Sequence, residues 1–340
     1  METLRAGYGT APGCDQAWRG LAALDALGLL VDPAHGGVGG NMIDVAVVAE
    51  ECGRAIYRGP YEVSAVGATW LLTQARPASS ALERLVRGEA IATLVAHDGR
   101  AAATPPTARV DGDRTTINGT APGVIAGTVA DIFLMMASDR SPTPQVYLVE
   151  RGAGVECFED ETIDGSRPTA LVSFTDAPGE LLAFRGTHAP PIELFEGALD
   201  RARTALALDA VGAAQLALEL TVTYARDRIA FDRPIGSFQA VQHLCADMLR
   251  ALELARAAAY FAAWALDHAE RPTARAAVMQ AAAFCCDELP RLGASAIQVF
   301  AGVGFTWEHD IQLVYKRLVS SSAALGTAND HLAALADLVF

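Results

Sequence analysis

Apolar and polar positions along this chain fall into three successive patterns, first helical, then strand-like, then helical again. Apolar residues recur at helical spacing over Gln16 to Leu30, where Gly28 and Pro33 mark the stop. The same spacing returns over Ile43 to Ala55, Ala65 to Thr73 and Ala81 to Arg87, so residues 1–88 read as a helical domain. From Glu89 the pattern changes to short β-rich runs punctuated by Gly and Pro. These are Ile91 to Ala96, Ala108 to Val110, Thr115 to Ile117, Asp131 to Ala137, Gln145 to Glu150, Ala170 to Phe174 and Leu181 to Phe184. Residues 89–190 therefore read as a small antiparallel barrel or sandwich, with Asp111-Gly-Asp113 as a hairpin turn and Asn118-Gly119 ending the next strand. From Glu193 the chain is helical again over Phe195 to Arg228, Phe238 to Ala269, Thr273 to Phe300 and Ile311 to the end. Alanine is frequent and apolar residues cover more than one face, as buried helices require, so residues 191–340 read as a four-helix bundle. The fold class is α+β.

Between the first two of those long helices lies Tyr224-Ala-Arg-Asp-Arg228-Ile-Ala-Phe231-Asp-Arg-Pro234-Ile235-Gly236-Ser-Phe238-Gln239, followed by Gln242, His243, Asp247 and Met248. Pro234 cannot continue a helix, Gly236 takes backbone angles that a reversal needs, and Ser237 is placed to cap the next helix. Arg228 offers a planar, always charged fork suited to a phosphate, and Phe231 a face on which a planar ring can stack. By itself the stretch reads as a helical hairpin with a solvated arginine, because caps and turns are common.

At 340 residues and 51% hydrophobic the chain is long and apolar enough for a large core, which excludes disorder as its main state. Its 26 basic against 40 acidic residues, a formal charge of -14, repel a nucleic acid, and no basic run offsets that. The six cysteines form no C-x-x-C pair or regular framework, which points to reduced thiols in the cytoplasm, with Cys285 and Cys286 in a helix core. The start lacks the layout of a signal peptide, and charges interrupt each long apolar stretch before about 18 residues, so no membrane span is expected. The histidines occur singly without ligand spacing, so no metal site is expected, and no G-x-S-x-G elbow is present. The glycine cluster His35-Gly-Gly-Val-Gly-Gly40 lacks the leading strand and the spacing of a dinucleotide cradle. His243 reads as a packed or interface histidine, and Trp307 with Glu308 as shaping the loop after Gly304.

The hinge resembles the signature of the acyl-CoA dehydrogenase family, Arg-x-x-Phe-Gly-x-Pro-Ile-x-x-x-Gln followed by an Ala-Asp-Met helix. A second similar stretch is Gln298-Val-Phe-Ala-Gly302-Val-Gly304-Phe305-Thr-Trp-Glu308. A third, upstream, is Pro33-Ala-His-Gly36-Gly37-Val-Gly39 with Asp44 and Glu50-Glu51-x-Gly53-Arg54. The resemblance implies the layout helices, sheet, helices, with the N-terminal layer starting late by one or two helices. It also implies FAD-dependent α,β-dehydrogenation of an acyl-CoA thioester, with an electron-transfer flavoprotein as acceptor. That chemistry needs a carboxylate base, a flavin ring held at the substrate, and donors to the thioester carbonyl.

Two places in the family hold the base. One is the glutamate of a Tyr-Glu-Gly-Thr turn, which Ala324-Leu325-Gly326-Thr327 matches here; the other lies near the start of the first long helix and matches Ala202. Neither Leu325 nor Ala202 can accept a proton. Asp200 and Glu196 lie within two turns as candidate substitutes, though acids at a helix start ordinarily favour the dipole. The ring-gripping loop and strand of the family fall on Ala96-His-Asp-Gly-Arg100-Ala-Ala and Gly123-Val-Ile125-Ala126, without the aromatic wall or the hydroxyl donor. The resemblance places Arg228, Phe231, Gln239, Gln298, Gly302 and Thr327 at the cofactor, the first five across a subunit interface at the adenosine diphosphate end of a neighbour's FAD. Ala230 and Asp232 depart from the usual Thr and Gly, and Asp232 is unfavourable near a diphosphate unless Arg233 offsets it. The pattern resembles the short, degenerate subunit of actinobacterial heteromeric acyl-CoA dehydrogenases for steroid side chains, which share FAD with a catalytic partner in a heterotetramer. A self-sufficient flavoenzyme with a relocated base and a flavin-free scaffold of the same fold are the alternatives.

Overall fold

The computed structural model describes Tyr8 and residues 15–75, 80–96, 106–139, 143–184, 189–324 and 326–339. It divides into two compact units, a sheet unit of Gly9–Val45 and Arg58–Arg203 and a bundle unit of Tyr8, Ala46–Tyr57 and Thr204–Phe340. Helices α1 (Gln16–Ala23), α2 (Met42–Arg54), α3 (Thr69–Gln74) and α4 (Ser80–Val86) precede the strands. Gln16 to Leu30 is shorter as an α-helix than the apolar spacing implies: after Ala23 the chain turns at Asp25, which has φ +57°, and continues as a 3-10 turn, Ala26–Gly28. The expected helix Ala65 to Thr73 begins earlier, as a fully buried π-helical segment, Tyr61–Ala68, that runs into α3.

In the sheet unit, β1 (Ala92–Val95), β4 (Ile132–Ala137), β5 (Gln145–Glu150) and β8 (Glu180–Leu181) form one sheet, with β1 parallel to β4. The second sheet is antiparallel, in the order β2 (Thr107–Asp111), β3 (Arg114–Ile125), β7 (Thr169–Pro178), β6 (Val155–Glu159). Phe133 of the first and Phe174 of the second meet edge to face at 5.8 Å, joining the sheets through a shared core. The π-helical segment covers β1: the Ser64 hydroxyl accepts from the Ala92 N–H at 3.0 Å. Gly112, at φ +60°, makes the two-residue turn between β2 and β3 that Asp111-Gly-Asp113 announced.

Asn118-Gly119, by contrast, does not end its strand. β3 runs through it to Ile125, and the register shifts between Ile117 and Gly119, so the pair forms a bulge braced by Asn118 bonding to Asp176. The exposed strand β6 carries no clear alternation, which is why its pattern gave no signal, and Leu181 to Phe184 contributes strand only at Leu181.

The bundle unit holds α5 from Thr204 (Pro191–Asp227 in all), α6 (Gln239–His268), α7 (Arg271–Phe300), α8 (Ile311–Ser321) and α9 (Ala328–Val339). Where one helix was expected from Ile311 to the end, there are two, because Gly326 at φ +117° leaves helical geometry and Thr327 with Asp330 starts a new helix. α2 crosses α5 at two glycines. A Cβ on Gly53 would lie 1.8 Å from the Asp209 carbonyl, and one on Gly212 1.8 Å from that of Glu50. At this crossing Arg317 of α8 grips Asp209 bidentately, Nε to Oδ1 at 2.9 Å and Nη2 to Oδ2 at 2.7 Å, and also donates to the Tyr57 carbonyl at 3.0 Å. Both charges are essentially excluded from solvent. α5 is long and apolar enough to cross a membrane by composition, but 72% of its most apolar window is buried, as in the central helix of a bundle.

Candidate functional site

The hinge stretch forms a small structure of its own at one end of the bundle unit. Ile229–Ala230 pairs antiparallel with Arg233–Pro234, leaving Phe231-Asp232 as a two-residue turn. Both have positive φ, +55° and +61°, the geometry of a type I′ turn, which suits Asn-Gly and strains a bulky side chain. Phe231 is thereby pushed into solvent at 88% exposure. Its ring meets the edge of Phe238 at 6.1 Å, and the Arg233 guanidinium lies 4.1 Å over the same ring. Arg233 is thus held on Phe238 and forms no ion pair with Asp232 among the described residues. Gly236 lets the chain fold back, since a Cβ there would lie 2.9 Å from the Ala225 carbonyl. Ser237 is not the cap it was expected to be: its hydroxyl donates back to the Pro234 carbonyl at 2.7 Å, and Phe238 occupies the N-cap position of α6. Gln242 closes the turn by donating to the Gly236 carbonyl at 3.0 Å.

The C-terminal ends of α5 and α7 meet beside this turn. Tyr224, one helical turn before Arg228, stacks on Phe300 at 4.2 Å, and His309 packs against both rings. Phe300 in turn lies between Gln298 and Gly302, so the clamp brings Arg228 and the α7 terminus to the same end of the bundle. Arg228, Gln239 and Gln298 are exposed, and among the described residues their side chains have no hydrogen-bond or ion-pair partner. Gly302 has open space where a Cβ would stand. Five of the expected cofactor residues are therefore available to a ligand from outside the chain. Thr327 is differently placed. Its hydroxyl donates to Asp330 at 2.7 Å and its N–H to the same oxygen at 2.8 Å, so it caps α9. Leu325 lies outside the described residues, and His243 and Glu308 are exposed.

The other expected base position is closed. Ala202 is fully buried in the sheet unit, and a Cβ on Gly67 of the π-helical segment would lie 3.2 Å from the Ala202 methyl and 3.1 Å from the Ala198 carbonyl. No room for a longer side chain exists there. Asp200 is 5% exposed and paired with Arg203 at 2.9 Å, which commits it as a structural ion pair, and Glu196 is half-buried one turn earlier.

Of the strand end expected beside a flavin ring, Ile125 and Ala126 border a recess with Arg58, Glu62 and Arg167. Arg167 donates to Glu62 at 3.0 Å with both side chains buried, and about 10 Å³ remains for the centres of water-sized bodies. That is room for about one water, not for a tricyclic ring. The ring-loop match Ala96-His-Asp-Gly-Arg100-Ala-Ala falls, after Ala96, outside the described residues. The residues present thus fit the diphosphate end of FAD and do not fit its ring at this recess. The buried pairs Glu62–Arg167 and Asp209–Arg317 escaped the sequence reading. Asp209 did carry a signal, a lone acid inside the apolar run Ala205 to Ala214, which needs a buried partner.

The acyl-CoA dehydrogenase N-terminal domain model matches residues 7–89, and the acyl-CoA dehydrogenase C-terminal domain model matches residues 192–339. Acyl-CoA dehydrogenase FadE34 of Mycobacterium tuberculosis is 34% identical over 324 residues, 94% of this chain but 42% of that protein. Acyl-CoA dehydrogenase IpdE2 of the same organism is 30% identical over 331 residues, 97% of this chain and 88% of that protein. This chain belongs to the acyl-CoA dehydrogenase family. A chain of the Tcur3481-Tcur3483 steroid ACAD superposes with a TM-score of 0.85 at 25% identity, covering 99% of this chain and 94% of that one. The acyl-CoA dehydrogenase fold accounts for the order of helices, sheets and helices, and flavin is the cofactor associated with it.

Proposed function

We propose that this chain is the non-catalytic subunit of a heteromeric acyl-CoA dehydrogenase and completes the FAD site of its partner. Arg228 neutralises part of the diphosphate, Phe231 offers its exposed ring to a planar group, and Gln239 and Gln298 supply hydrogen bonds, with Gly302 allowing close approach of backbone. FAD, when bound, accepts the hydride; the glutamate base and the ring pocket belong to the partner. The acyl-CoA belongs to the steroid side-chain class, the assembly is a cytoplasmic heterotetramer, and an electron-transfer flavoprotein takes the electrons. One contrast carries this reading: the Arg228, Gln239 and Gln298 side chains stand exposed without a polar partner among the described residues, while the base position Ala202 is packed shut.

Co-expression with a family chain that has an intact Tyr-Glu-Gly-Thr turn tests it, by counting flavins per assembly and following acyl-CoA oxidation. The expected result is flavin and turnover in the complex and neither in this chain alone. Stoichiometric flavin and turnover by the single chain would instead establish a self-sufficient enzyme. Equal activity of the partner without this chain would establish a scaffold.

A further inference from the structure

The hairpin of β2 and β3 in the sheet unit carries charged side chains that neither the core nor the flavin reading uses. Its register sets Asp111 opposite Arg114 and Arg109 opposite Thr116, and because side chains alternate along a strand these four share one face. With Asp176 of β7 they line an open recess that has about 260 Å³ for the centres of water-sized bodies. Arg109, Asp111 and Arg114 are exposed, and among the described residues none of these side chains has a hydrogen-bond or ion-pair partner. Thr116 is only 8% exposed, yet its hydroxyl also lacks a partner among those residues. Asp176 is held in place from the other side. Its N–H donates to Asn118 Oδ1 at 2.9 Å, and its Oδ1 accepts from Asn118 Nδ2 at 3.2 Å. The recess is remote from the flavin end of the same strand, since Thr116 and Ile125 are separated by about 30 Å of β3.

We infer that this recess binds a small zwitterion of the α-amino acid class, its carboxylate between Arg109 and Arg114 and its ammonium on Asp111 and Asp176. The two arginines are diagonal neighbours across the hairpin, about 7–8 Å apart at the backbone, so both forks reach one carboxylate. The Thr116 hydroxyl, already withdrawn from water, donates to the same group. Two arginines and two aspartates leave the recess without net formal charge, and that selects the ligand. A bare anion bound by the arginines also meets two carboxylates, and a bare amine bound by the aspartates also meets two guanidinium groups. A molecule carrying both signs a few atoms apart is complementary to each half of the recess. Because the charged side chains are open to solvent, binding is screened by salt and falls in the millimolar range.

Saturation-transfer NMR titration of the full chain with L-alanine tests this, without any flavin and so independently of the functional reading. Propionate is the same molecule without its ammonium, ethylamine the same without its carboxylate, and inorganic phosphate is a bare anion. Saturable binding of alanine is expected, with each of the other three about 10-fold weaker or more. Arg114→Gln and Asp111→Asn are each expected to weaken alanine binding about 10-fold, and Thr116→Val about 3-fold. Unfolding curves show whether each variant still folds, and the two exposed positions keep the test decisive if Thr116→Val does not. Propionate or phosphate binding as tightly as alanine overturns the proposal in favour of a plain anion site, and ethylamine doing so in favour of a cation site. Absence of saturable alanine binding, or binding that Arg114→Gln and Asp111→Asn leave unchanged, removes the site altogether.

Discussion

The hairpin end of the bundle unit and the neighbourhood of Ala202 in the sheet unit have been treated in opposite ways by the same chain. At the hairpin, charged and amide side chains are left in water, and Phe231 and Asp232 are held in left-handed conformations that cost stability locally. Around Ala202, and in the recess with Glu62 and Arg167, apolar packing and a buried ion pair leave no usable space. The contrast teaches that one chain can leave a charged surface open at one end of a helix pair while packing another position shut.

The largest expected effect comes from forcing chemistry back into the closed region. Ala202→Glu places a carboxylate in a fully buried, close-packed position, and is expected to cost about 3–5 kcal/mol of stability. Urea unfolding measures this, together with an acyl-CoA oxidation assay that should stay blank. A stable variant with turnover would show that the pocket had only lost its base. Of similar size is Arg317→Leu, which strands Asp209 in the core and should also cost about 3–5 kcal/mol. Because both partners lie in the bundle unit, the loss should leave the two sheets folded until the bundle melts, a pattern that hydrogen exchange can resolve.

The open end responds in the other way. Arg228→Ala should change the stability of the isolated chain by less than about 0.5 kcal/mol. In the assembly it should lower flavin retention by about 10-fold or more, the worth of a hydrogen bond to a charged group. Equilibrium dialysis of the complex separates the two effects, and an unstable but flavin-replete Arg228→Ala would reverse the assignment. Smaller again is Asp232→Gly, which relieves a left-handed residue and removes a negative charge. It is expected to add up to about 1 kcal/mol of stability and to tighten flavin retention. A thermal shift assay on the chain alone and flavin content in the assembly check the two halves of that statement.

The smallest effect near neutral pH is titration of the packed interior. Burial pushes the Cys286 thiol up to about 11 from an ordinary value near 9. Burial, then the hydrogen bond to Glu50, pushes the Tyr260 phenol up to about 12 from near 10. In both cases the unfolded chain releases its proton first as pH rises. The stabilisation is therefore complete below about pH 9 and is lost progressively between pH 9 and 12. Unfolding midpoints at a series of pH values should be flat from 7 to 8.5 and fall above that. Thiol labelling of Cys285 and Cys286 should be slow until the bundle opens, because burial raises both.

What the sequence by itself determined is whatever local periodicity and side-chain identity decide. The long helices, most of the strands, the Gly112 turn and the absence of a carboxylate at positions 202 and 325 were legible, because each follows from spacing or from the residue type alone. The hairpin's place on the surface was partly legible, through Pro234 and Gly236. Tertiary structure decided what depends on neighbours distant in the chain. The bulge at Asn118-Gly119 comes from pairing with β7, and the pairing of Glu62 with Arg167 spans more than a hundred residues. Ser237 turns back to Pro234, leaving Phe238 at the start of α6. Whether a given exposed residue faces water or is covered is set by which elements pack on it, and a local pattern of apolar and polar positions carries no record of that choice.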